Sequence, residues 1–344
     1  MFGKNCKVAV VGAGAIGGIT AGFISKAGHD VTLVCKYPEL TDKVASQGLH
    51  IVGIKGDMKA SMKAVPRISD LDAPQDVVFL ATKATDIQDA ARDLLPFLTD
   101  ESVVVSMQNG ICEDQLAETL GRKRVIGCVV EWGATLHGPG ELEMTSAGEF
   151  VIGNIDHEPD PRLEPIREML SALAPADISE NIMGHLYAKL IINSCITSLG
   201  AICGLYLGEM LAIRKIRNIF TEIMQEAMTV ADKMGIQVAV LAGKLDYQKF
   251  LRGQGMVSDL RRHLFIRLIG FKYRRLKSSS LQSLERRKPT EIDYLNGYIA
   301  DNARKHGVSA PVNEQIVQLV KEIESGSRQI SLSNFDIPFF SEFG

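Results

Sequence analysis

Residues 7–11 (KVAVV) form a short apolar run rich in β-branched side chains, the pattern of a buried strand. Gly12-Ala13-Gly14-Ala15-Ile16-Gly17 follows, then a helix-compatible stretch to Lys26, a stop at Gly28 and a second strand at 31–35 (VTLVC). Strand, glycine turn, helix and strand together take about 30 residues, the size of one βαβ unit. In that setting the G-x-G-x-x-G spacing has a physical reason. The first glycine makes the turn off the strand, the second lets backbone amides approach a pyrophosphate, and the third lets the helix lie close to the strand. The helix N-terminus then offers free N–H groups to the phosphates. Gly12, Gly14, Ala15, Ile16 and Gly17 are therefore read as dinucleotide-binding residues. A glycine-rich packing turn without ligand is the plainer alternative.

The alternation continues with strands at 77–82, 103–107 and 125–130 and helices at 86–98 and 113–120, which implies a parallel sheet covered on both faces. Residues 141–153 read as a short antiparallel appendix around Gly148. After about residue 160 helical periods take over, at 162–174, 182–203, 209–234, 290–306 and 311–325. A chain of 344 residues with 46% hydrophobic content suits two domains, each with its own core. The fold class is α/β: a Rossmann-type doubly wound parallel sheet over 1–178, then an all-α domain over 179–344 with a basic insert near 240–277. The boundary is expected near 175–182.

The net charge of −3 argues against a generic polyanion binder, and no nucleic acid is expected. The charge is uneven. Residues 249–288 hold twelve Lys/Arg against Asp259 and Glu285, a net of +10 that leaves −13 for the rest. Residues 263–277 (HLFIRLIGFKYRRLK) are read first as a helical insert with a solvated basic face. A membrane-surface helix, part of a site for a larger acidic substrate and a nucleic-acid contact remain open. Six scattered cysteines form no C-x-x-C pair and no His cluster stands beside them, so no metal is expected and reduced thiols in the cytoplasm are. Lys4 and Lys7 before 8–16 resemble a signal peptide, but the glycine spacing accounts for that segment better. Residues 190–208 carry no charge over 19 positions, yet Asn193, hydroxyls and three glycines favour a helix buried in protein over a transmembrane segment. Phe335, Phe339, Phe340 and Phe343 make the last segment too aromatic for a free tail.

NAD sites place an acid at the end of the second strand. Here that position is Cys35, with Lys36 next, and a cation suits a 2′-phosphate, so NADP(H) is expected. Lys83 and Asn109 follow strands on the same rim, where open α/β sheets bind ligands, although Asn109-Gly110 also fits an ordinary turn. Lys189, Asn193 and Thr197 stand at i, i+4 and i+8, one stripe of an otherwise apolar helix. A snorkelling lysine is the alternative there. Downstream lie Ser278–Gln282 and Thr290-Glu291-Ile292-Asp293-Tyr294, where Ser280 or Thr290 fits a helix cap and Glu291 suits a helix start.

Together, residues 8–18 (VAVVGAGAIGG), 81–86 (ATKATD), 107–110 (MQNG), Gly138-Pro139-Gly140, 188–204 (AKLIINSCITSLGAICG), 278–297 (SSSLQSLERRKPTEIDYLNG) and 302–311 resemble the ketopantoate reductase (2-dehydropantoate 2-reductase) family in order along nearly the whole chain. The resemblance implies NADPH-dependent reduction of 2-dehydropantoate to (R)-pantoate, a step toward pantothenate and coenzyme A. Lys189 is then the catalytic lysine and Glu291 the essential acid. Asn193, Thr197, Ser279 and Asn109 bind the small 2-oxo acid substrate, and Lys83 and Asn109 contact the nicotinamide-ribose side of the cofactor. Thr197-Ser198 depart from the family's usual Asn-Pro, and 240–277 is longer than the family requires, so a related 2-oxo or hydroxy acid dehydrogenase is the second reading. A third, motivated by the basic window, is a non-catalytic NADP-binding regulatory or membrane-associated protein. A homodimer is compatible with the helical second domain.

Overall fold

The computed structural model describes residues 6–344. Lys4, weighed above as part of an export signal, lies outside them. The chain divides into two compact units, residues 1–108 with 112–186, and residues 109–111 with 187–344.

The first unit runs β1 (Lys7–Val11), α1 (Ala15–Lys26), β2 (Asp30–Val34), α2 (Pro38–Gln47), β3 (Leu49–Gly53), β4 (Met58–Ala60), β5 (Lys63–Val65), β6 (Gln75–Leu80), α3 (Ile87–Leu94), β7 (Leu98–Ser106), α4 (Glu113–Leu120), β8 (Val125–Val130), β9 (Gly133–Gly138), β10 (Glu141–Ser146), β11 (Phe150–Asn154), α5 (Leu163–Ser171) and β12 (Ala176–Ile178). Its main sheet has the order β12-β11-β8-β7-β6-β1-β2-β5. Strand β1 pairs in parallel with β2 on one side and β6 on the other, so the strand order reverses beside it. Fully buried Val8, Val10, Leu33, Val77, Phe79, Val103 and Val105 explain why these strands read as continuous apolar runs.

Residues 141–153 are not one antiparallel appendix. Strand β10 pairs antiparallel with β9 and parallel with β3, in a separate four-stranded sheet of order β4-β3-β10-β9. Strand β11 instead pairs antiparallel with β8 in the main sheet. Gly148 lies between them, where a Cβ would stand 2.4 Å from the carbonyl carbon of Glu131. That close approach, not a hairpin, is its role.

The long helix α6 (Ile182–Cys203) starts in the first unit: Ile182 and Leu186 cover Gly127 of β8. The division therefore falls inside this helix, at Leu186/Tyr187, and not in the loop before it. By length and composition α6 could cross a membrane, but most of its apolar surface is buried in the fold.

The second unit continues through α7 (Leu207–Ala212), α8 (Arg214–Met234), α9 (Tyr247–Leu251), α10 (Met256–Lys272), α11 (Ser279–Glu285), α12 (Asn296–Lys305) and α13 (Pro311–Glu324). The helix expected over 209–234 is broken at Ile213, whose backbone is extended. The Arg217 guanidinium donates to the carbonyls of Leu211 and Ala212 at 2.8 and 2.7 Å, which satisfies the end of α7 and stabilises the break. Residues 290–306 also divide, into a 3₁₀ turn at Ile292–Tyr294 and α12. The C-terminal phenylalanines pack on one another, with Phe335 and Phe340 fully buried and the Phe339–Phe340 ring centroids 5.0 Å apart. The basic insert is helical over α9 and α10.

Candidate active site

In the first unit three strand ends converge. The Gly12 amide donates to the Val34 carbonyl at 3.0 Å, and the Ala81 amide donates to Val11 at 2.8 Å. The ends of β1, β2 and β6 therefore lie side by side, and Gly12–Gly17, Lys36 and Lys83 all follow them.

Each glycine of the turn has a distinct environment. A Cβ on Gly12, at φ +112°, would lie 2.7 Å from the Ala81 carbonyl oxygen, and one on Gly17 would lie 2.0 Å from the Gly12 oxygen. Both positions are closed by backbone. A Cβ on Gly14 would meet nothing within 4 Å. The open side of the turn thus lies at Gly14, which also precedes α1. That helix has no side-chain cap and no acid in its first turn. Packed glycines on either side of an open one, before an uncapped helix N-terminus, fit a pyrophosphate.

Lys36 follows the buried Cys35, whose thiol burial pushes up to about 11. Its ammonium pairs with Asp86 at 2.9 Å, which raises the lysine's pKa. Both side chains are exposed, so the pair is worth at most about 1 kcal/mol and competes weakly with a phosphate. Lys83 is exposed at the start of the 3₁₀ turn Ala84–Asp86.

Four polar residues on this rim were not singled out from the sequence. The Ser106 hydroxyl donates to Gln108 Oε1 at 2.9 Å, and Gln108 Nε2 donates to Thr82 Oγ1 at 3.4 Å, tying the ends of β6 and β7. Glu113, 1% exposed, accepts the Cys112 amide at 2.9 Å. Burial raises its pKa to about 7, while the hydrogen bonds to its carboxylate pull the other way. Polar residues just after apolar strands were the available signal.

In the second unit, Lys189 and Asn193 are half-buried on α6 and Thr197 is buried. The helix is continuous through them, so the three share a stripe. Tyr247 anchors the stripe's start by donating its hydroxyl to the Ala188 carbonyl at 2.7 Å. Thr197 donates its hydroxyl to the Asn193 carbonyl at 2.8 Å, within its own helix.

Ser278, not Ser280, caps the next helix, its Oγ accepting the Leu281 amide at 3.2 Å, while the Thr290 hydroxyl accepts the Ile292 amide at 3.2 Å at the start of the following 3₁₀ turn. The Ser278 hydroxyl also donates to the Thr197 carbonyl at 3.2 Å. This brings the N-terminus of α11, with Ser279 as its first residue, against the stripe.

Glu291 is buried just before the 3₁₀ turn. Its neighbour Thr290 is held by Glu324, whose Oε1 accepts both the Thr290 amide at 2.6 Å and its hydroxyl at 2.7 Å. Asn296, following the turn, accepts the Ser198 hydroxyl of α6. Asn109 is half-buried and groups with this unit, and a Cβ on Gly110, at φ +90°, would strike the Tyr294 carbonyl oxygen at 2.5 Å.

Residues 8–157 match the family described as Ketopantoate reductase PanE/ApbA, and residues 181–324 match Ketopantoate reductase PanE/ApbA C terminal. A 2-dehydropantoate 2-reductase of Pyrococcus abyssi is 30% identical over 321 residues, covering 93% of this chain and 98% of its own. This chain belongs to the ketopantoate reductase family. A 2-dehydropantoate 2-reductase of Archaeoglobus fulgidus is 29% identical over the same share of both chains. The crystal structure of a PanE/ApbA family ketopantoate reductase from Ralstonia eutropha JMP134 superposes with a TM-score of 0.78 at 30% identity, over 94% of this chain and 100% of that one. A D-mandelate dehydrogenase with NADH and anilino(oxo)acetate shares the fold at TM-score 0.80 and 22% identity. Ketopantoate reductases are NAD(P)-dependent oxidoreductases, and this chain is one of that family's enzymes.

Proposed function

We propose that this ketopantoate reductase family member reduces 2-dehydropantoate to (R)-pantoate with NADPH, in the cytoplasm. Near-full-length likeness to 2-dehydropantoate 2-reductases supports the substrate. Lys36 in place of an acid after β2 supports NADPH. Six buried cysteine thiols suit a reducing compartment. The observation that carries the reading is the single polar stripe of Lys189, Asn193 and Thr197 on an apolar helix, with the N-terminus of α11 hydrogen-bonded to its end.

NADPH, when bound, supplies hydride to the carbonyl carbon. Gly12, Gly14, Ala15, Ile16 and Gly17 hold its pyrophosphate, Lys36 takes the 2′-phosphate, and Lys83 and Asn109 contact the nicotinamide-ribose side. Lys189 stabilises the charge that grows on the carbonyl oxygen and donates the proton that completes the alcohol. Glu291 orients the lysine and the substrate. Asn193, Ser279 and Asn109 bind the acid's polar groups, with Thr197 bordering them.

One observation favours a second substrate. The Thr197 hydroxyl spends its proton inside its own helix, so it meets a substrate only as an acceptor. Another 2-oxo acid would then fit that edge. Initial rates with NADPH and NADH against 2-dehydropantoate, pyruvate and phenylglyoxylate decide between the two. The highest kcat/KM is expected for 2-dehydropantoate with NADPH. A tenfold preference for another acid establishes the second reading.

A further inference from the structure

Helix α13 ends on a carboxylate. Glu324 is its last residue, at the end where the helix dipole favours a cation. Something other than the helix holds the acid there, and its two oxygens show what. Oε1 accepts both hydrogens that Thr290 can offer, from the amide at 2.6 Å and from the hydroxyl at 2.7 Å. Oε2 stands 3.4 Å from the Lys321 ammonium, one turn back on the same helix.

The Thr290 hydroxyl is committed twice. Its proton goes to Glu324, and its oxygen accepts the Ile292 amide at 3.2 Å. The second bond spans Glu291, closing the tight turn that a threonine makes with the amide two residues on. The Glu291 carbonyl in turn accepts the Tyr294 amide at 3.0 Å, which starts the 3₁₀ turn. The backbone on both sides of Glu291 is therefore set by the orientation of one hydroxyl, and that orientation is set by Glu324.

Burial decides which contacts matter. Thr290 is 2% exposed and Glu291 7%, and the Glu324 side chain is 14% exposed. A charged acceptor makes strong hydrogen bonds in such a place. Lys321 also reaches Asp293 at 2.5 Å, but both of those side chains are about half exposed, so that pair contributes little.

We propose that Glu324 is a positioning residue for the reaction: acting through Thr290, it fixes the backbone from which the Glu291 carboxylate serves substrate and lysine. This rests on the role given to Glu291 in the proposed function. The glycine turn belongs to the other unit, so cofactor binding does not depend on Glu324.

Steady-state kinetics with NADPH and 2-dehydropantoate, alongside far-UV circular dichroism, test it on the intact protein. E324A is expected to lower kcat about ten- to a hundredfold, the cost of a reacting group misplaced by about 1 Å. KM for NADPH should stay within about twofold. E324Q, whose amide oxygen still accepts both Thr290 hydrogens, is expected to recover most of the loss. T290V keeps the branched shape without the hydroxyl and should match E324A; it carries the same test if E324A fails to fold. E291Q separates positioning from general stability. It is itself expected to be slow, and adding E324A to it should cost less than about twofold further, because no carboxylate is left to misplace. Wild-type kcat in E324A and T290V beside a slow E291Q overturns the positioning role alone. So does an E324A loss of equal size with and without the Glu291 carboxylate, which marks a merely structural effect. E291Q at the wild-type rate overturns the reading of Glu291 and this proposal with it.

Discussion

Glu226 of α8 caps a helix it does not belong to. Its Oε1 accepts the Val312 amide at 2.8 Å, and its Oε2 accepts the Asn313 amide at 2.9 Å and the Asn313 side-chain amide at 2.7 Å, at the start of α13. The same Asn313 accepts from Asn296 at 2.9 Å, and Asn296 accepts from Ser198 of α6. Serine, asparagine and asparagine thus donate in sequence toward one buried carboxylate, tying α6, α12, α13 and α8 together. Such aligned bonds reinforce one another. Glu226→Gln turns an amide donor toward these donors and should destabilise the chain by about 3 kcal/mol, the range for a lost charge-assisted bond with an orphaned partner. Urea unfolding measures it, and an unchanged midpoint would refute the cap's contribution.

Glu113 gives the first unit a pH dependence. Its folded-state pKa is raised from 4.5 to about 7, so the folded chain holds this proton more tightly than the unfolded chain does. The stabilisation is complete below 4.5 and is lost as pH rises through 7. At about 1.4 kcal/mol per pH unit across that window, the loss is about 3 kcal/mol. Glu113→Gln should remove it. Thermal melts at pH 5 and pH 8 are expected to differ less for the variant than for wild type, and equal differences would contradict the assignment.

The glycine turn separates folding from cofactor binding. Gly17→Ala forces a methyl into backbone and should destabilise by about 3 kcal/mol or more. Gly14→Ala enters open space, so its stability should stay within about 0.5 kcal/mol of wild type. Its dinucleotide Kd should nonetheless rise at least about tenfold, or about 1.4 kcal/mol. Fluorescence titration with NADPH checks this, and a wild-type Kd in Gly14→Ala would move the pyrophosphate elsewhere.

Lys189→Ala should lower kcat by about two to four powers of ten, the span for a lost general acid. NADPH binding should be unaffected. Turnover near the wild-type rate would show that another group delivers the proton.

Lys36→Ala should raise KM for NADPH about tenfold and leave KM for NADH unchanged, because only the 2′-phosphate is expected to reach that ammonium. A parallel rise for both cofactors would show a structural effect through Asp86.

The parallel sheet was legible because β1, β2, β6 and β8 are short, uninterrupted apolar runs. The second sheet was not. Its strands β3, β9 and β10 are only half-buried, and Met58–Ala60 is three residues long. Strand β7 starts earlier than its apolar core implies, because Thr99, Asp100 and Glu101 extend the strand into solvent. The Lys189–Asn193–Thr197 stripe followed from helical spacing alone. Three consecutive serines gave no basis for choosing Ser278 as the cap; the approach of Thr197 and Gly200 decides it. The Ser198–Asn296–Asn313–Glu226 chain was invisible, since residues bonded to each other along it are up to 98 positions apart.

The packing of Phe335 and Phe340 bears on how the chain is made. By the time Leu186 leaves the ribosome, every strand of the first unit has been translated. In the helical unit, residues 338–343 pack against α8 and are translated after it, and the Asn218 side-chain amide on α8 donates to the backbone carbonyl of Phe343. Assembly during translation is therefore sequential: the sheet can set early, while α6 with Lys189 and the segment holding Glu291 become rigid last.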